Sequence, residues 1–144
     1  MKVGDLMIGD FVAITEPDDF HGYTGKVVNI NGETGYITVN IPGMHNTEVL
    51  VDDLQPIPLT VELIEKNGCR KWIWHNYPHE NVVTYAIGDG IQVEVSKKYG
   101  FLLVDNCSDS GDYGYESNCI ANVNYVHKLQ HLIRDLEIEK EIIL

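Results

Sequence analysis

Gly9-Asp10-Phe11-Val12-Ala13-Ile14, and beyond a turn Gly22-Tyr23-Thr24-Gly25-Lys26-Val27-Val28-Asn29-Ile30, carry short β-branched runs bracketed by glycines. Val, Ile and aromatic side chains suit a pleated, half-buried surface, and glycines admit the tight turns and bulges of strongly bent strands. Two further runs follow, Tyr36-Ile37-Thr38-Val39-Asn40-Ile41 and Glu48-Val49-Leu50-Val51. Turn chemistry separates all four: Glu16-Pro17-Asp18-Asp19, Asn31-Gly32-Glu33 and Pro42-Gly43. Four or five short antiparallel strands within residues 1–58 are too few for a large sandwich. A small barrel is expected instead, because closure removes exposed strand edges.

The spacing Gly22-x-x-Gly25-x-Val27-x-x-Ile30, after the strand beginning Gly9-Asp10-x-Val12, resembles the KOW motif. That motif belongs to SH3-like barrels of ribosomal proteins and transcription elongation factors, so the resemblance implies an SH3-like barrel over roughly the first 55 residues. RNA-binding KOW barrels usually present Lys and Arg on their loops. Here the corresponding loops carry Glu16, Asp18, Asp19, Glu33 and Glu48, and Lys26 is the only base in the strand-loop region. Phosphate affinity rises with the number of neutralising cations, so the barrel is expected without the RNA binding. Asp18, Phe20, His21 and Tyr23 could line a peptide groove on this barrel, or serve only to build its loop.

Pro56-Ile57-Pro58-Leu59-Thr60 reads as a short stiff connector, since proline holds itself and the residue before it extended. The expected organisation is thus an SH3-like barrel over 1–58 and an α+β domain over 59–144, with an antiparallel sheet and two helices. Thr60 is the expected N-cap of the first helix, Leu59 and Ile64 form a hydrophobic staple, and Asn67-Gly68 ends it. Strands are expected at 71–74, 82–87, 91–95 and 101–104, with turns at Gly88-Asp89-Gly90 and Lys97-Lys98-Tyr99-Gly100. A polar loop over 106–117 leads to Cys119-Ile120-Ala121, then to an amphipathic helix over 125–136, with a short strand expected at 141–143.

The 144 residues carry 10 Lys and Arg against 22 Asp and Glu, a formal charge of −12. Residues 1–59 hold two bases against nine acids, −7, and residues 60–144 hold the remaining −5. Such acidity disfavours a non-specific polyanion binder, although a small local basic patch is compatible with it. No apolar run approaches the roughly 20 residues that cross a bilayer. The opening Met1-Lys2-Val3-Gly4-Asp5 lacks the pattern of a secretory signal, so a cytoplasmic location is expected. Cys69, Cys107 and Cys119 have neither disulfide-framework nor zinc-ribbon spacing, and buried free thiols are expected, a Cys107–Cys119 bridge being the alternative.

Three further constellations need weighing. His127-Lys128-Leu129-Gln130-His131 places two histidines one helical turn apart, a zinc-binding spacing. Lys128 stands where a metalloprotease needs its Glu, and the helical wheel sets both histidines on the solvent side, opposite Tyr125, Val126, Leu129, Leu132, Ile133 and Leu136. A metal site there is rejected. Asp105, Asp109 and Glu116 echo an EF-hand loop, but Cys107 and Ser110 occupy positions that need a ligand and a glycine, so a solvated loop is expected. Trp72 and Trp74 share one face of a strand beside His75, Tyr77, Pro78 and His79. Core is the favoured reading of the two tryptophans, a binding platform the alternative. Cys69, His75, His79 and Asp105 have no spacing that favours a nucleophilic site.

Over its whole length the chain also resembles a family of small uncharacterised proteins encoded by gut bacteria, their phages and mobile elements. The residues that carry the resemblance are Leu6-Met7-Ile8-Gly9-Asp10, the junction from Val51 to Thr60, Lys66-Asn67-Gly68 and Tyr125-Val126-His127-Lys128-Leu129-Gln130. It implies origin and architecture rather than mechanism. The function expected is a non-catalytic adaptor that binds another protein and needs no cofactor. A KOW-type nucleic-acid protein, a metal-dependent hydrolase and an acidic DNA mimic are the alternatives.

Overall fold

The structure, a computed structural model, describes residues 1–76, 80–88, 90–105 and 118–144, with side chains for all of these except 74–76, 80 and 81. The protein is mainly β, and the described residues form two antiparallel five-stranded sheets and two α-helices. The chain divides into two compact units: Met1–Pro58 with Tyr125–His127, and Leu59–Asn124 with Lys128–Leu144.

The first unit holds β1 (Phe11–Ile14), β2 (Thr24–Ile30), β3 (Tyr36–Asn40), β4 (Thr47–Leu50) and β5 (Leu54–Pro56) in the order β4-β3-β2-β1-β5. Alternation buries Val12 and Ile14, Val27, Ile37 and Val39, and Val49 and Leu54 in one core with Leu6 and Ile41. Within β2 the register slips at Val28, so Val27 points inward opposite Val39 while Val28 is exposed. Asp10 is buried, and its carboxylate accepts the Met7 N–H at 2.8 Å, which ties the opening segment to the sheet.

Closure is where the expected barrel and the structure part: the sheet is open. β4 and β5 stand at its two ends, and only a three-residue 3-10 turn, Val51–Asp53, joins them. β5 itself has only three residues, and Pro56 offers no N–H to a ladder. Among the described residues it pairs with β1 alone, Ile14 opposite Leu54 and Val12 opposite Pro56.

The second unit opens with α1 (Val61–Lys66), whose cap is the one expected: Thr60 Oγ1 accepts the Leu63 N–H at 3.2 Å. A plain antiparallel meander follows, β6 (Arg70–Asn76), β7 (Glu80–Ala86), β8 (Ile91–Ser96), β9 (Gly100–Asp105) and β10 (Asn118–Asn122), with sheet order β10-β9-β8-β7-β6. Tyr85, Val93 and Leu103 share one face by register and are fully buried. Thr84, Gln92 and Val104 lie on the opposite face and are buried as well. Both faces of this sheet are therefore covered at its centre.

The Tyr85 hydroxyl donates to Glu65 Oε1 of α1 at 2.9 Å. Burial first, and then the Glu65 carboxylate, push its ionisation up from 10.0 to about 12. The unfolded chain releases this proton near pH 10, whereas the folded chain keeps it to about pH 12. The associated stabilisation is complete below pH 10 and disappears between the two values, an effect of order 2–3 kcal/mol. Alkaline unfolding of the wild type should therefore steepen over that interval, and Tyr85→Phe should flatten the difference.

α2 (Val126–Asp135) ends the ordered elements, and no strand forms at 141–143. A single side chain takes that role: Asn67 Oδ1 accepts the Ile143 N–H at 2.7 Å and Nδ2 donates to the Ile143 carbonyl at 2.8 Å. Nδ2 also donates to the Leu63 carbonyl at the end of α1. The amide thus imitates the edge of a neighbouring strand, and Ile142 is buried beside it. Asn67→Ala should cost about 2 kcal/mol, since three part-exposed hydrogen bonds contribute roughly 0.5–1 kcal/mol each. Hydrogen exchange at the Ile143 amide should rise well beyond the global change, which locates the loss.

Candidate functional site

β1 and β2 are joined by the segment that holds four of the expected site residues. A 3-10 turn spans Asp18–Phe20, with the Phe20 N–H donating to Pro17 O at 2.9 Å and the Tyr23 N–H to Phe20 O at 3.1 Å. The ladder between the strands then continues into the loop: Ile14 N–H donates to Tyr23 O, and Gly22 N–H to Ile14 O. Gly22 takes φ +83°, which is why the chain can reverse there without strain.

This loop is braced from the other side of the unit. Thr15 donates to the Asp53 carbonyl through both its N–H at 2.8 Å and its hydroxyl at 2.9 Å. The His21 ring donates from Nδ1 to the Thr15 carbonyl at 2.6 Å, which leaves Nε2 for a partner. Phe20 packs against the core and anchors the turn, whereas Asp18, His21 and Tyr23 are exposed, Tyr23 by 42%. Glu16, Asp18 and Asp19 are exposed on this loop, and Asp53 of the β4–β5 turn is tied to it at Thr15. The loop thus exposes three acids, an imidazole and a phenol.

Trp72 does not enter the core: it is 40% exposed, and the Arg70 guanidinium lies 4.2 Å over its ring. The reason is position. Among the described residues β6 ends the sheet and pairs with β7 alone. The Trp74 side chain lies outside the described residues, as do the side chain of His75 and the whole of Tyr77, Pro78 and His79. The EF-hand-like loop falls outside them too, except for Asp105.

The helical wheel misplaced His127, which is only 3% exposed, with its ring stacked on Tyr125 at a centroid distance of 5.9 Å. α2 begins at Val126, so Tyr125 precedes the helix and is paired in a bridge with Pro58. The first turn is buried nearly all round: Val126, His127, Leu129 and Gln130 are covered, and only Lys128 is exposed. His131 is half-buried. Among the described residues, no group of three or more His, Cys, Asp or Glu is placed to hold a metal ion.

Cys69 is buried, as expected of the thiols, but Cys119 on β10 is exposed. Cys107 lies outside the described residues. Desolvation pushes the Cys69 thiol up, only partly opposed by Lys140.

No protein-family model, curated protein or solved structure matches the chain. No helix among the described residues is long and apolar enough to cross a membrane.

Proposed function

We propose that the protein is a non-catalytic adaptor whose first unit is an SH3-like module, related to KOW barrels in plan, that binds a basic segment of another protein. The strand order β4-β3-β2-β1-β5, with a 3-10 turn between β4 and β5, supports the SH3-like reading. The observation that carries the binding reading is the braced loop: Tyr23 and His21 exposed on a framework fixed by Thr15 and Asp53. Preorganised aromatic groups contribute contact area at small entropic cost, and the exposed acids of the loop favour a cationic partner. The KOW-type nucleic-acid alternative has less support, because Lys26 sits over the Phe11 ring at 5.8 Å in a unit with nine acids.

The test is a paired capture from cytosol. Wild type should retain a protein partner that Tyr23→Ala and Asp18→Lys lose, while both variants melt as the wild type does. Identical capture by variants and wild type would discard the loop as the site. Salt-sensitive capture of RNA alone would replace this reading by the nucleic-acid one.

A further inference from the structure

The second unit holds an open cavity of about 690 Å³, lined by Ile87, Gly88 and Ile91 on one side and by residues 136–139 on the other. That is an ordinary size for a small-molecule site. Each side has a fixed backbone. The Ile87 N–H donates to the Ile91 carbonyl at 3.0 Å and the Ile91 N–H to the Gly88 carbonyl at 3.2 Å, which ties the end of β7 to the start of β8. Opposite them, the Leu136, Glu137 and Ile138 N–H groups donate to the Leu132, Arg134 and Ile133 carbonyls at 2.9, 3.0 and 2.9 Å. These bonds close the end of α2. The two sides meet where Ile138 lies against Gly88: a methyl group on Gly88 would stand 2.7 Å from Ile138 Cγ2.

The lining combines aliphatic walls with negative charge. Ile87 is buried, Ile91 and Ile138 are half-buried, and Leu136 is 41% exposed. The two polar side chains of the lining are the carboxylates of Glu137 and Glu139, and none of the lining residues is basic. The bases beside them in the chain are engaged elsewhere: Arg134 donates from Nε to the Gln130 carbonyl at 3.2 Å, and Lys140 lies at the Cys69 thiol. The end of the ten-residue α2 adds the negative pole of its peptide dipoles. Glu137 takes φ +54° and is the one non-glycine residue with positive φ among the described residues. Glycine is the usual residue just past a helix end, because a side chain is strained there. The strained turn therefore brings to the cavity a carboxylate that a glycine would not supply.

We propose that this cavity binds a protonated aliphatic di- or polyamine, with its ammonium groups on Glu137 and Glu139 and its methylenes on Ile87, Ile91 and Ile138. The reading rests on the second unit alone and is independent of the loop of the first. A metal ion is a poorer occupant. Among the described residues no three His, Cys, Asp or Glu are placed to hold one, and isoleucine walls offer no oxygen ligands. Anions are repelled by both carboxylates and by the helix end. An aromatic cation finds no ring in the lining to stack on. A lysine side chain of a partner carries the same head group but a single charge, whereas two carboxylates two positions apart suit one flexible molecule with two.

The probe is spermidine, followed by the methyl chemical shifts of Ile87, Ile91 and Ile138 at about 50 mM salt, where exposed charges are weakly screened. These signals should move and saturate with a dissociation constant below about 1 mM. Glu137→Gln with Glu139→Gln keeps the shape of the cavity and should weaken binding about tenfold at an unchanged melting temperature. Glu33→Gln with Glu48→Gln removes the same charge from the first unit and should weaken binding less than about twofold. That pair separates the site from the general attraction of a chain of charge −12. The proposal fails if the three isoleucines do not respond below about 1 mM, or if the two double variants lose affinity equally. It fails equally if magnesium at the same charge concentration moves the same methyl signals, since charge alone would then suffice. A Gly-Lys-Gly-Lys-Gly peptide that binds more tightly than spermidine would reassign the cavity to the lysines of a partner protein.

Discussion

Gly25→Ala is expected to unfold the first unit. Gly25 is buried in β2 opposite Val12, and a methyl group there would stand 2.5 Å from Val39 Cγ1 and 2.6 Å from the Asn40 carbonyl oxygen. The second contact is backbone of the adjacent strand β3, which cannot rotate aside. Relief would require β2 and β3 to separate, and Lys26 opposite Asn40 and Val27 opposite Val39 are the pairs that hold them together. Overpacking of this kind costs about 3 kcal/mol or more, a large part of what a small unit possesses. The measurement is amide exchange at Val12, Val27 and Val39, which should lose protection in the variant. Gly32→Ala is the control, since nothing lies within 4 Å of its added methyl group. It should change stability by less than about 0.5 kcal/mol.

Gly100→Ala should be the corresponding lesion in the second unit. Gly100 starts β9 at φ +77°, in the region that L-residues avoid, and its methyl group would fall on Asn124 Oδ1. That oxygen accepts the Phe101 N–H at 2.8 Å, so the substitution strains the backbone and displaces a bond together. The two terms, about 1–2 kcal/mol for the left-handed residue and about 1 kcal/mol for the bond, give roughly 3 kcal/mol. Urea denaturation should show this as a shifted midpoint at unchanged slope. Asn124→Ala in the same chain should recover part of the loss, because it removes the obstructing oxygen. Gly43→Ala, with φ +79° but open space around it, should cost only the conformational term.

Most elements were legible because their signals are local. β1 to β4 alternate apolar and polar residues between turn residues, and Thr60 announces α1 by the cap it makes three residues on. β5 was not, since Leu54-Gln55-Pro56 has the composition of a connector and becomes a strand only by pairing with β1. The open sheet has the same origin, because closure depends on whether distant edges meet. The four loop residues of the candidate site could be read as a group since Asp18 to Tyr23 are contiguous. The brace could not, as Thr15 and Asp53 lie 38 residues apart. Asn67 and Ile143 lie 76 apart, and Asn67 shows locally only its role as a helix end. Trp72 illustrates a different limit. Alternation assigns a residue to a face, but whether its strand is central or at the edge is a property of the whole sheet.

The slip at Val28 lets the chain be shortened by one residue at the bulge. Lys26 and Val27 pair in one register with β3, Asn29 and Ile30 in a register offset by one, and Val28 belongs to neither. Removing Val28 would fuse the two ladders and leave every inward residue inward. Removing Asn29 has the same effect, because the exposed Val28 then takes its place opposite Thr38. Length variation in this strand, whether engineered or inherited, should therefore be confined to the bulge at Val28 and Asn29.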